Sequence, residues 1–310
     1  TNVALEHPIQ SVRRIVMSGS NVYAATDAGL YESRDRGQTF RRVTLRGDDA
    51  LTNAVGIDMV AVAPTDDRRL VIATLNRLFV SVNGGQTFSS ASNLQGTWWD
   101  LQWHPTRNDL AFALVQRGGH ITFVRSTSAG VKFDSVGAGY PERSATRTMA
   151  RAAIGLSARD PKFVSVLIGG SIRDSVGGVY GLYVSRDEGS TFEHRCCGAV
   201  DGPEPANATT NKNLFDYEIT GNGLGQITWD MAFAVGDRDT SLMLAAGIFP
   251  YVSYDGGRSW NSMLPMHYDI QSASIHGDTI WLTHDGGLTV STDRGRTILD
   301  RSRGISASEI

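Results

Sequence analysis

Two short runs of the chain combine indole rings with a carboxylate. Trp98, Trp99 and Asp100 are consecutive, Trp103 follows three residues later, and Trp229 is followed by Asp230. An aromatic face stacks on a sugar ring and a neighbouring carboxylate accepts hydrogen bonds from hydroxyls, so Trp98, Trp99, Trp103 and Trp229 are candidate ligand-binding residues. Two carboxylates held about 5–10 Å apart could also hydrolyse a glycoside, which makes Asp100 and Asp230 the candidate catalytic pair. The alternative is structural: tryptophans filling gaps between sheets, and aspartates holding turns or channel water. A second constellation is His267, Asp269, His284 and Asp285. On a strand, residues two apart point to the same side, so His267 and Asp269 could join Asp285 around a metal. Calcium suits a mostly oxygen ligand set outside the cell. The alternative is a hydrogen-bonded pair at a junction between elements. No cofactor is expected otherwise.

The elements that must carry these residues are short and repetitive. Ser33–Phe40 reads SRDRGQTF, Ser81–Phe88 SVNGGQTF, Ser185–Phe192 SRDEGSTF, Ser253–Trp260 SYDGGRSW and Ser291–Ile298 STDRGRTI, with a worn sixth copy, STSAGVKF, at Ser126–Phe133. The shared pattern is S-x-D-x-G-x-[ST]-[aromatic or apolar]. Its aspartate can accept hydrogen bonds from backbone N–H groups in the turn, and its glycine supplies a positive φ. The last residue starts a return strand and packs inward. Asp35, Asp187, Asp255 and Asp293 are therefore expected to form turns, and Asn83 to do the same. Each copy is preceded by strand-turn-strand text such as NVYAATDAGLYES and LVIATLNRLFVS, and further upstream by another strand and a polar turn. Every unit thus reads as four antiparallel strands with the motif between the third and fourth, which is a propeller blade.

The expected fold is an all-β propeller of six complete blades, at about 11–47, 55–93, 96–137, 148–196, 225–264 and 268–302, in a single domain. Motif starts at 33, 81, 126, 185, 253 and 291 leave two intervals longer than a blade's usual ~40–50 residues, so insertions are assigned to 169–181 and 193–225. Such loops are natural places for recognition. The second contains a glycosylation sequon at Asn207 and the adjacent Cys196 and Cys197, which are either two ordinary thiols or a disulfide between neighbours in an oxidising compartment. The chain stops where a seventh blade would begin, which suggests a longer parent.

The repeated motif resembles the Asp-box, or BNR repeat, of sialidases, sortilin-type receptors and secreted bacterial propellers. The run GNGLGQITWDMAFA at Gly221–Ala234, the His267-Tyr268-Asp269 segment and THDGGLTVSTDRG at Thr283–Gly295 resemble BNR-repeat propellers of large secreted or surface proteins of Bacteroidota-like bacteria. The resemblance implies an extracellular or cell-surface protein, exported with a leader that this chain lacks. It implies a protein or glycan partner more than a reaction. Sialidases carry an R-I-P segment, whereas the nearest run here, Arg13-Arg14-Ile15-Val16, lacks the proline.

Other chemistries are absent from the sequence. There is no GxSxG, HExxH or P-loop run. GNGLGQ is not GxGxxG, and a strand follows where a dinucleotide fold needs a helix. A net charge of −3 gives no general attraction to nucleic acid or anionic membranes. No stretch approaches the ~18 apolar residues of a spanning helix. The sequence reading is therefore a non-catalytic binding scaffold. A glycan-active hydrolase is the alternative, and an assembly factor or envelope-complex subunit is a third possibility.

Overall fold

The computed structural model describes residues 9–92, 94–172, 175–197, 213–215, 225–263 and 266–305. Asn207 and most of the 193–225 insertion lie outside the described residues. Twenty-four strands form six four-stranded antiparallel sheets, each in chain order, and the one helical element described is a 3-10 turn at Asp49–Asn53. This is a β-propeller fold with six blades. No described helix is long and apolar enough to cross a membrane.

Two compact units divide the chain, Thr1–Arg117 with Thr122–Val136, and Gly118–Ile121 with Gly137–Ile310. The first strands of the three blades in the first unit are Val12–Ser18, Met59–Val62 and Thr97–Trp103. Those in the second unit are Met149–Leu156, Ala232–Val235 and Ile270–His276. Within each unit the first strands of successive blades lie against one another. In most blades the second and third strands are buried on both faces, which is why Leu70–Thr74 (LVIAT) reads as a continuous apolar run, whereas Thr279–His284 in blade six alternates. The core is accordingly a series of layers between blades. In the first unit, one layer holds Tyr23, Leu30, Ile72 and Phe79, and the next holds Val71, Trp98, Trp103 and Phe133. In the second unit, Leu182, Phe233 and Trp260 share one layer, and Leu244, Ile270 and Leu282 another. The stretch 169–181 is no loop: it lengthens the hairpin of Val164–Ile172 and Ser175–Ser185, with register shifts after Ile168 and Gly170.

The repeated motif forms the corner between third and fourth strands. Ser33 ends its strand and accepts from Gly37 N at 2.8 Å, while Asp35 Oδ1 accepts from Gln38 N and Thr39 N at 3.0 and 2.9 Å. Thr39 Oγ1 donates to Asp35 Oδ2 at 2.6 Å. Asp187, Asp255 and Asp293 repeat the pattern with Thr191, Ser259 and Thr297. Asn83 accepts from Thr87 N at 3.0 Å and donates Nδ2 to Thr87 Oγ1 at 2.8 Å. These donors stabilise the ionised carboxylate, and hydrogen bonds from Thr39 and Thr297 hold Asp35 and Asp293 down at about 2. The corner needs two residues in succession at positive φ, since Arg36, Glu188 and Arg294 lie at +61°, +59° and +64° ahead of the motif glycines. Glycine at 84 and 256 relieves that strain. The closing residue packs inward at Phe88, Phe133, Phe192 and Trp260, but Phe40 and Ile298 are only half-buried.

Candidate functional site

Four first strands carry a β-bulge near their start. The extra residues are Arg13, Trp99, Ala150 and Gln271, in blades one, three, four and six. A bulge sets two residues opposite one and re-aims the side chains beside it. It is here, at the starts of first strands, that the polar groups of each unit gather.

In the first unit the charges cancel. Arg13 pairs with Asp58, and Arg14 Nη1 lies 3.0 Å from Asp100 Oδ1 while its Nη2 donates to Leu101 O at 3.4 Å. Asp100 is buried and also accepts from Leu101 N at 2.8 Å and Gln102 Nε2 at 3.2 Å. A carboxylate so fully engaged anchors the strand that carries it. Trp98 and Trp103, expected as ligand-binding residues, do not reach the surface. Both are buried in the layer between blades two and three, at 5 % and 7 % exposure, with no partner for either indole N–H among the described residues. The bulge at Trp99 breaks the alternation that would have sorted these three tryptophans. Trp99 is half-exposed and donates Nε1 to Gln116 Oε1 at 2.9 Å.

In the second unit the charges do not cancel. Trp229 and Asp230 lie on a turn ahead of the Ala232–Val235 strand, not within the strand, and both their N–H groups bond to Gln226 O, at 2.8 and 3.0 Å. Arg151, next to its bulge, donates Nη1 to Trp229 O at 2.8 Å and reaches the carbonyls of Ile227 and Thr228 at 3.5 and 3.4 Å. The turn is thereby stapled, and it presents the Trp229 side chain at 75 % exposure. Asp230, the next residue, is buried, and its Oδ1 accepts from Gln271 Nε2 at 2.8 Å. Gln271 Nε2 also donates to Asp285 Oδ1 at 3.1 Å, so one amide bridges two carboxylates. Burial first, then the charges of Asp269 and Asp285, push Asp230 up to about 6. Tyr268 stands half-exposed beside them, its ring edge-on to Phe249 at 5.0 Å.

His267 and Asp269 precede the sixth blade's first strand, and Asp269 has φ +61°, so strand alternation does not bring them to one side. His267 instead stacks on His284 at 5.1 Å and 12°. His267 Nδ1 bonds Tyr268 O at 3.0 Å, and His284 Nε2 bonds Thr289 Oγ1 at 2.8 Å. Burial, and then the neighbouring His267, lower His284, which keeps it neutral. Among the described residues no three His, Cys, Asp or Glu side chains group to hold a metal. The Gln271 amide occupies the place between Asp230 and Asp285 that an ion would need. Cys196 and Cys197 are joined as a disulfide between neighbours, both buried, with Trp260 Nε1 donating to Cys196 Sγ at 3.2 Å. Gln271 and Arg151 carried no signal in the sequence, because a bulge and a staple become visible only in three dimensions.

No protein-family model and no curated protein matches the chain. Solved structures do. An ancestral GH74 enzyme aligns with TM-score 0.62 and 14 % identity over 90 % of this chain and 36 % of its own. YCF48 bound to D1 peptide gives 0.60 and 14 % over 98 % of this chain and 89 % of its own. The extracellular domain of the BT4673 two-component system protein of B. thetaiotaomicron gives 0.59 and 14 % over 99 % of this chain and 35 % of its own. The chain thus spans about a third of the GH74 and BT4673 chains and most of the YCF48 chain. Likeness at this level of identity shows the fold, and the fold it shows is the β-propeller.

Proposed function

We propose that the chain is a non-catalytic binding module of the Asp-box propeller type, working outside the cell and recognising a protein partner through the Trp229 turn. The observation that carries this reading is Trp229 itself. A large indole held three-quarters exposed on a turn stapled by Arg151 leaves its apolar faces in water, and a partner that covers them gains the burial. The carboxylates of Asp269 and Asp285, near the buried Asp230 that follows Trp229, supply polar specificity. The six self-capped corners support the Asp-box assignment. The Cys196–Cys197 disulfide supports an oxidising compartment, and so does the likeness to an extracellular domain. A peptide-bound neighbour of nearly the same length makes a protein partner the natural class.

The test is a benzophenone amino acid placed at Trp229, with the same group at exposed Arg117 as control, irradiated in the native cells. One discrete protein adduct at position 229 alone is expected. Oligosaccharide adducts, or the same adducts at both positions, would refute the reading. A glycoside hydrolase is favoured by one observation, the rise of Asp230 to about 6, where a carboxyl can donate a proton. Under that reading Asp230→Asn abolishes polysaccharide cleavage. Absence of cleavage by the unmodified chain across plant and bacterial glycans removes it.

A further inference from the structure

The six blades are six versions of one unit, so equivalent positions can be compared within the chain. What all copies share serves the fold; what a single copy carries calls for another reason. The fourth strands read Ser89–Ser90, Asp134–Ser135, Asn261–Ser262 and Leu299–Asp300 in blades two, three, five and six, and begin Glu193-His194 in blade four. In blade one the fourth strand is Arg41–Arg42. The same blade places Arg34 and Arg36 in its corner, and Arg46 follows the strand; blade four has Arg186 at the first corner position and blade six Arg294 at the second, so the paired arginines of the fourth strand are what blade one alone carries. All five arginines are exposed. Among the described residues Glu32 alone answers them, with Arg34 Nε at 3.5 Å and Arg41 in contact. Asp35 faces its own turn, where it accepts from Thr39 and Gln38. Among the described residues no carboxylate forms an ion pair with Arg36, Arg42 or Arg46. An open cleft of about 480 Å³, with Phe88 and exposed Val82 in its wall, begins at Gly47, beside Arg46.

We infer that the outer edge of blade one, Arg34 to Arg46, is a second interaction surface, which takes a short acidic segment of a partner protein in extended form. Arg41–Arg42 is the last strand of its sheet, with no further strand beside it among the described residues, so an extended segment can lie along it. Arg34 and Arg41, which flank Glu32 on one face, match carboxylates on alternate residues of such a segment, while Arg42 points to the other face. The surface is bounded as well as charged. Asp48 and Asp49 follow it and Asp66 and Asp67 lie in the next blade, on a chain whose net charge is −3. A long polyanion or an anionic bilayer would meet those carboxylates, whereas a segment of a few residues need not. The surface belongs to the first unit and is independent of the Trp229 reading.

The experiment is fluorescence anisotropy of the full chain with a labelled alternating Glu-Thr peptide. The comparison probes are a Lys-Thr peptide, a single-stranded oligonucleotide, and vesicles of phosphatidylcholine with phosphatidylserine. The variant is Arg41→Ser with Arg42→Ser, which grafts the Ser89–Ser90 strand of blade two and so has an internal precedent for folding. The Glu-Thr peptide is expected to bind, to lose affinity as salt rises from about 0.05 to 0.3 M, and to bind the double variant about fivefold or more weakly. An Arg36→Gly, Arg46→Ser variant should weaken it in the same way. Equal binding of Glu-Thr and Lys-Thr peptides, unchanged affinity in both variants, or stronger binding of the oligonucleotide or vesicles overturns the inference.

Discussion

Replacing Asp230 by asparagine should stabilise the protein at neutral pH and leave it unchanged in acid. The carboxyl is raised from 3.8 to about 6, chiefly by burial, then by Asp269 and Asp285. Below about pH 4 it is protonated in folded and unfolded chains alike and contributes nothing. As pH rises from about 4 to 6, the unfolded chain releases the proton that the folded chain retains, so stability falls through that window and stays lowered above it. Each tenfold change in proton affinity is worth ~1.4 kcal/mol, and the rise spans about two such factors. Asp269 and Asp285 stand nearer solvent, and screening brings the cost down to about 1–2 kcal/mol. Asparagine keeps an Oδ1 to accept from Gln271 Nε2, so the bridge to Asp285 survives. At about pH 7.5 the variant should melt roughly 2–4 °C or more higher than the parent, and at about pH 4 the two should coincide. Differential scanning calorimetry at the two pH values decides. A variant that melts at or below the parent at neutral pH would refute the electrostatic account, and so would an equal gain at both pH values.

Two further outcomes follow from the corners and the disulfide. Asp255→Ala removes the acceptor of Arg258 N, Ser259 N and Ser259 Oγ, and should cost about 1–3 kcal/mol in urea unfolding. Asp255→Asn, which copies Asn83, should cost less than half as much. Reducing Cys196–Cys197 should raise indole emission, because Trp260 Nε1 lies 3.2 Å from Cys196 Sγ and a disulfide in contact quenches tryptophan. Trp260→Phe should abolish that rise.

The fold was legible because its signal is local and repeated. Ser, Asp, Gly and Thr at fixed spacing build a corner whose hydrogen bonds lie within eight residues, so the sequence contains the whole device. The site was only half legible. Trp229 and Asp230 were found by residue type, but their place on a turn depends on Arg151, 78 positions away. Trp98 and Trp103 resembled Trp229 in type and differ from it wholly in burial, because the bulge at Trp99 resets which side faces the neighbouring blade. The His267–Asp269 pairing assumed a strand that begins only at Ile270. The arginines of blade one look scattered along the chain. They become a cluster only once 41 and 42 are recognised as equivalent to serines in blade two.

The corners also do something between blades. Phe88 N donates to Arg46 O, Phe133 N to Ala91 O and Phe192 N to Ala138 O, so the closing residue of a corner bonds to the tail left by the preceding blade. Blades two, three and four are each finished on a template supplied by the one made before it. A chain leaving the ribosome from its N-terminus therefore meets its partners in the order in which they appear, and no blade joined in this way must wait for sequence not yet synthesised. Such an arrangement favours stepwise assembly with small loop-closure costs at each step. It also gives duplication of a single blade a ready-made joint at both ends, a simple route by which one hairpin unit could have become six.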